Sequence, residues 1–183
     1  MTEYCASALP TAPAVFSGDS WQILLDEPML ALRVALFFRA SLRAQSPQLD
    51  SRLAIGIGHV TFVPHGDVAK GDGEAFRLSG RLLSVLGDRR MGLAVESADS
   101  DKYLGWESAV QLLDVLATSA WTASRARAIS GALRGWPQDR IRRLWRPVVS
   151  QAAVSKHLSA AHWGVIKDVL GQFERPGHRV ADE

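Results

Sequence analysis

A single cysteine, Cys5, stands in 183 residues, so no internal disulfide and no cysteine-rich metal site can form, as suits a reducing compartment. No apolar run reaches the roughly 18–20 residues of a spanning helix. The opening MTEYCASALPTAPAV has neither the basic start nor the continuous apolar stretch of a signal peptide. A cytoplasmic chain without a membrane segment is therefore expected. Net charge is also scarce, at a formal +2, and names no partner. What the chain does have is 47% hydrophobic residues, enough for a substantial core in one or two small domains.

Charge is unevenly spread. Residues 1–112 carry 10 Lys/Arg against 13 Asp/Glu, a net of −3, and residues 113–183 carry 11 against 6, a net of +5. Within 122–167 nine basic residues face Asp139, with Asp168 just past the end. A basic block on helical sequence suits a polyanion, although a solvated helical surface has the same composition.

The first hundred residues alternate strand and helix. Residues 14–17 and 20–25 flank Gly18-Asp19, a dipeptide suited to a tight hairpin. Pro28 opens a helix that runs to about Gln45, with Met29, Leu32, Ala35, Leu36 and Leu42 at helical spacing and Arg33, Arg39 and Arg43 on other faces. Leu53 to Val63 reads as one strand buried on both faces, in which Gly56 and Gly58 mark a bulge or the close approach of a backbone or ligand. A glycine turn, Lys70 to Gly73, leads into a helix from Glu74 to Leu86 with Phe76, Leu78, Leu82, Val85 and Leu86 inward. Met91 to Val95 is a further strand. The Ser/Asp-rich run at 97–101 predicts a boundary between an α+β domain, 1–100, and an all-α domain, 101–183. Helices are expected over about 106–120, 123–134, 137–145 and 150–173.

Residues 137–163 carry a motif. Pro137 opens a short helix with Ile141, Leu144 and Trp145 inward. Arg146-Pro147 ends it, and Ser150 caps a second helix with Val154, Leu158 and Ala161 inward. Two short helices on a tight connector make a helix-turn-helix. The start of the second helix then faces the major groove of duplex DNA, presenting Gln151, Ala152, Ser155 and Lys156, with His157 beside them. Gln can bridge an adenine edge, Ser and Lys reach bases or phosphates, and Ala meets a thymine methyl. Arg140, Arg142, Arg143 and Arg146 would hold the backbone. Arg142 follows Ile141 where such motifs usually carry a small residue, and the spacing to Val154 implies a longer turn. Packing against the first domain or a partner is the alternative use of these helices.

Gly18-Asp19, the run from Arg52 to Val60 and the run from Gly71 to Arg81 occur in an order that resembles the class III nucleotidyl cyclase fold. It resembles still more the SatD-like bacterial proteins, which join such a fold to a C-terminal helix-turn-helix. The resemblance implies a truncated ferredoxin-like sheet, since only about 14 residues precede the first strand and leave no room for the family's first one. It also implies self-association to cover the edge so exposed, as a homodimer suited to two DNA half-sites.

Of the cyclase machinery, Asp19 matches one metal-binding aspartate, and the second has no counterpart. Val15 stands where a base-reading lysine is common. Arg81 matches the transition-state arginine, but Arg77 replaces its asparagine. Half of a two-metal set does not support the reaction, so no catalytic residues, metal or cofactor are expected. Asp19, Gly71, Gly73, Arg77 and Arg81 remain as a candidate site for a nucleotide effector. The simpler readings are a turn-forming Asp19 and a helix start capped by Asp72.

Other chemistry lacks support. His157 and His162 are five apart and turn away from a shared metal, and there is no HExxH. His59 and His65 read as structural or exposed, and no serine carries a nucleophile signature. Trp106, Trp121, Trp136, Trp145 and Trp163 could stack bases, but their spacing is that of core residues.

Overall fold

A computed structural model describes residues 12–64 and 67–175; Cys5 and His65 lie outside them. The chain is mixed α+β, with seven α-helices and three two-stranded sheets among the described residues. Strands β1 (Ala14–Ser17) and β2 (Ser20–Gln22) form an antiparallel hairpin around Gly18, whose φ of +56° suits a residue without Cβ. Residues Ile23–Leu25 leave the hairpin without joining a sheet. A 3-10 turn at Pro28–Leu30 precedes helix α1 (Ala31–Arg43), so the helix expected from Pro28 starts one turn later.

The strand expected over Leu53 to Val63 is two strands, β3 (Leu53–Ile57) and β4 (Val60–Phe62). The chain breaks at Gly58-His59, where the His59 amide donates to Glu96 Oε2 at 2.7 Å and the His59 carbonyl accepts from Ala75 N at 3.2 Å. Nor is this stretch buried throughout: Phe62 is exposed, and the middle of β3 is half-buried. The two-residue strand β5 (Asp72–Gly73) pairs with β4 and leads into helix α2 (Glu74–Val85). Strand β6 (Met91–Val95) lies parallel to β3 in the register Leu53↔Met91 to Ile57↔Val95.

Period-two alternation gives the β3–β6 sheet two unlike faces. Leu53, Ile57, Met91 and Leu93 are buried in the main core with α1 and with helix α3 (Trp106–Ala120). Gly56 and Gly92 lie under α2: a Cβ on Gly56 would collide with the Ala75 carbonyl, and one on Gly92 would stand 3.0 Å from Leu86. The close approach anticipated at Gly56 is that of helix α2. Val85, expected inward, is 67% exposed, while Leu86, the next residue, is buried.

The core cluster runs without interruption from Leu32 to Phe173. Helix α1 packs on helix α4 (Ala123–Leu133), and Phe173 meets the rings of Tyr103 and Trp106 at 5.7 and 4.9 Å. Arg39 and Arg43, on faces of the helix other than that of its apolar residues, are buried as well, and acids from two other segments meet them. Arg39 Nε and Nη2 donate to Asp50 at 2.9 and 2.7 Å, and Nη1 donates to Asp114 at 2.6 Å. Arg43 donates to Asp50 and to the Trp121 carbonyl, both at 3.0 Å. Asp114 Oδ2 accepts from the Arg90 amide.

Burial raises the Asp50 carboxyl, but hydrogen bonds and charge from Arg39, with help from the Ser51 amide and Arg43, more than offset it and hold the group below its ordinary value of 3.8. A carboxylate depressed in the folded state stabilises the fold above its unfolded pKa, and that stability is lost as the pH falls through the folded value. Urea midpoints of the wild type should therefore drop more steeply below about pH 4 than those of Asp50→Asn. Parallel curves would remove Asp50 as a source of acid sensitivity.

Candidate nucleic-acid interface

Helix α4 is capped by Thr122, whose hydroxyl accepts from the Arg125 amide, and its inner face carries Ala126, Ile129 and Leu133. The short helix α5 (Gln138–Ile141) continues as a 3-10 turn to Leu144. Helix α6 (Gln151–Ala160) follows the connector Trp145–Ser150 and is capped as expected, the Ser150 hydroxyl accepting from Ala153 N at 3.1 Å. Helices α4, α5 and α6 pack mutually, with Ile141, Val154 and Leu158 buried between them. The single helix expected over 150–173 breaks at His162, which takes a left-handed conformation with φ 58°, and helix α7 (Trp163–Phe173) starts there.

Helices α4 and α5 approach closely where Ile141 meets α4. Gly131 on α4 supplies the room: a Cβ there would meet Ile141 Cγ1 at 2.8 Å. Gly131→Val should overpack this contact and destabilise the fold by about 1–3 kcal/mol, read as a lowered urea midpoint; an unchanged midpoint would mean that the helices can separate freely.

On α6 the expected recognition residues Gln151, Ala152, Ser155 and Lys156 are all exposed, while Val154 and Leu158 are buried. His157 is turned inward and lies parallel to the Trp145 ring, centroids 5.7 Å apart. Burial, then the charges of Arg125 and Lys156, lower its pKa from 6.5. Arg140, Arg143 and Arg146 are exposed and Arg142 half-buried. Asp139 accepts from Arg142 at 2.8 Å and from Arg143 at 2.9 Å, and the two hydrogen bonds hold its carboxyl below the usual range. Arg140 instead lies 3.9 Å from the centroid of the Trp136 ring. Of the five tryptophans considered for base stacking, Trp121 and Trp145 are buried in the core, and the other three are half-buried.

The candidate nucleotide residues are distributed along the other half. Asp19 is exposed at the hairpin tip. Gly71 packs under the Phe76 ring, and Gly73 (φ +147°) crosses the backbone of His59–Thr61 so closely that a Cβ would lie 2.5 Å from the His59 carbonyl. Gly73 is itself the N-cap of α2 without a side-chain cap, and its amide donates to Asp72 Oδ1 at 2.8 Å. The Ala75 amide is used by His59. Arg77 pairs with Asp72 and Glu74, and Arg81 with Glu74. Two of the amides that could face a phosphate, and both guanidinium groups, thus have partners within the chain.

Among the described residues no helix is long and apolar enough to cross a membrane, and no cluster of three or more His, Cys, Asp or Glu could hold a metal. Comparison of the chain with protein-family models, curated proteins and solved structures finds no match.

Proposed function

We propose that this chain is a bacterial DNA-binding transcriptional regulator of the SatD-like kind. Helices α4–α6 form its helix-turn-helix, and the first hundred residues are a degenerate nucleotidyl cyclase-like module for dimerisation or effector sensing, in the cytoplasm. The observation that carries the reading is the exposure of α6: Val154 and Leu158 close the three-helix core, while Gln151, Ala152, Ser155 and Lys156 are all open to solvent. Helix α6 carries no acid, so nothing on it opposes the approach of phosphates. Arg140, Arg143 and Arg146 extend the positive surface across the preceding helix and connector.

The same residues would divide the work in the usual way, side chains of α6 reading base edges and the flanking arginines positioning the duplex. Lack of enzymatic activity is part of the reading, supported by Arg77 engaged with Asp72 and Glu74 where a cyclase-type asparagine would act. Selection from a random duplex pool tests the proposal: an enriched motif whose binding weakens with salt is expected. Recovery of an unenriched pool, together with undetectable binding at low salt, would reject it.

A further inference from the structure

A cleft of about 550 Å³ opens along β3. Its walls are unusual. Every residue from Arg52 to Gly58 lines it, and so does every residue from Trp21 to Asp26. Because neighbouring residues of extended chain point to opposite faces, an unbroken run can border a cleft only if the cleft meets the backbone edge-on. The other two walls are helices at helical spacing: Ala31, Val34 and Ala35 of α1 on one side, Ala75, Ser79 and Gly80 of α2 on the other.

Both edges have unused peptide groups. Leu53 N donates to Arg90 O, and Ile57 O accepts from Glu96 N. In a parallel ladder the odd-numbered residues of β3 therefore bond to β6, and the peptide groups of Ala54 and Gly56 point into the cleft. Ile23–Leu25, which also line it, belong to no sheet and make no hydrogen bond to another described residue. The free edge thus opens into a cleft that two helices and residues 21–26 also line, an arrangement that admits a strand bonded to β3.

From this geometry we infer that the cleft is a receptor for one extended peptide segment of a partner protein, bound by β-augmentation to β3. The side chains it accepts follow from the walls. Toward α2 the wall is tight, since Gly56 already touches the backbone of Ala75 and Ser79 and only Gly80 is open, so only Gly, Ala or Ser fits there. Toward α1, Trp21, Val34 and Ile55 form an apolar floor that suits Val, Ile or Leu. Five residues of β3 set a length of about 16 Å at 3.3 Å per residue, so the motif is about five residues of alternating large apolar and small type. A second copy cannot supply its own β3, which is recessed in the same way. The inference does not rest on DNA binding.

The test uses the full chain and a fluorescein-labelled peptide of alternating valine and alanine flanked by lysines. Saturable anisotropy is expected, with affinity falling at least tenfold when alternate peptide amides are N-methylated to block one bonding edge. Gly80, whose added Cβ meets nothing within 4 Å, gives a blocking variant: Gly80→Leu should reduce binding at least tenfold while retaining the wild-type melting temperature. Gly164→Leu on α7, equally open, should bind as the wild type does. Absence of binding, equal binding of the methylated peptide, or binding that appears only after removal of residues 1–11 would overturn the proposal, the last by making the chain its own occupant. Concentration-dependent self-association abolished by Gly80→Leu would also overturn it, in favour of a second copy.

Discussion

Replacing Asp114 by alanine is expected to remove about 3–5 kcal/mol of folding stability, because it strands the guanidinium of Arg39 in the interior without one of its two acids. Arg39 is 0% exposed and the Asp114 side chain 7%, so water cannot take the place of the lost carboxylate. The Arg90 amide loses its acceptor in the same substitution. Against a total of about 5–15 kcal/mol for a domain, this is enough to bring the protein close to unfolding at ambient temperature. Asp114→Asn, which retains an acceptor, should cost less. The double variant Arg39→Met with Asp114→Leu should recover part of the loss, since apolar side chains replace a buried pair better than half a pair does. Urea denaturation of the three variants checks the order. A single alanine variant within about 0.5 kcal/mol of the wild type, the range of ordinary surface substitutions, would show that the ion cluster contributes little.

The second large effect is on DNA binding. If Arg140, Arg143, Arg146 and Lys156 each neutralise one phosphate, the logarithm of affinity should fall with that of salt at a slope of about −3.6, a loss of about 150-fold from 50 to 200 mM. Arg142 is left out of this sum because it is half-buried, whereas the other four are exposed. Asp139 occupies Arg142 and Arg143, and Asp139→Asn should release charge from both pairs and tighten binding at low salt. Replacing Gln151 and Lys156 by alanine should reduce preference for the selected site over random duplex by at least tenfold, given about 1–3 kcal/mol of discrimination per good base contact. Parallel competition titrations separate the two effects. Loss of affinity with intact preference would place base reading elsewhere on the surface.

Local chemistry made much of this legible. The hairpin at Gly18-Asp19, strand 91–95, the helix over 106–120 and the Ser150 cap follow from turn residues, apolar periodicity and a capping hydroxyl, all of which act within a few positions of the chain. The break at His162 was not legible, because neither proline nor glycine stands at that position and the left-handed residue is an ordinary histidine. The burial of Arg39 and Arg43 was hidden for a different reason. Helical spacing assigns a charged residue to solvent unless an acid meets it, and Asp114 lies 75 positions from Arg39. The contribution of Gly131 likewise depends on Ile141, a residue on another helix.

By itself the sequence determined the alternation of strand and helix, the acidic and basic halves, and the apolar positions that α6 buries, since each is a property of composition or of a period of two or 3.6 residues. Only the tertiary structure decided that Arg39 and Arg43 turn inward, that Gly56 admits α2, and that β3 keeps a free edge in a cleft that residues 21–26 also line. These depend on groups far apart in the chain coming within contact distance, and no local period encodes that.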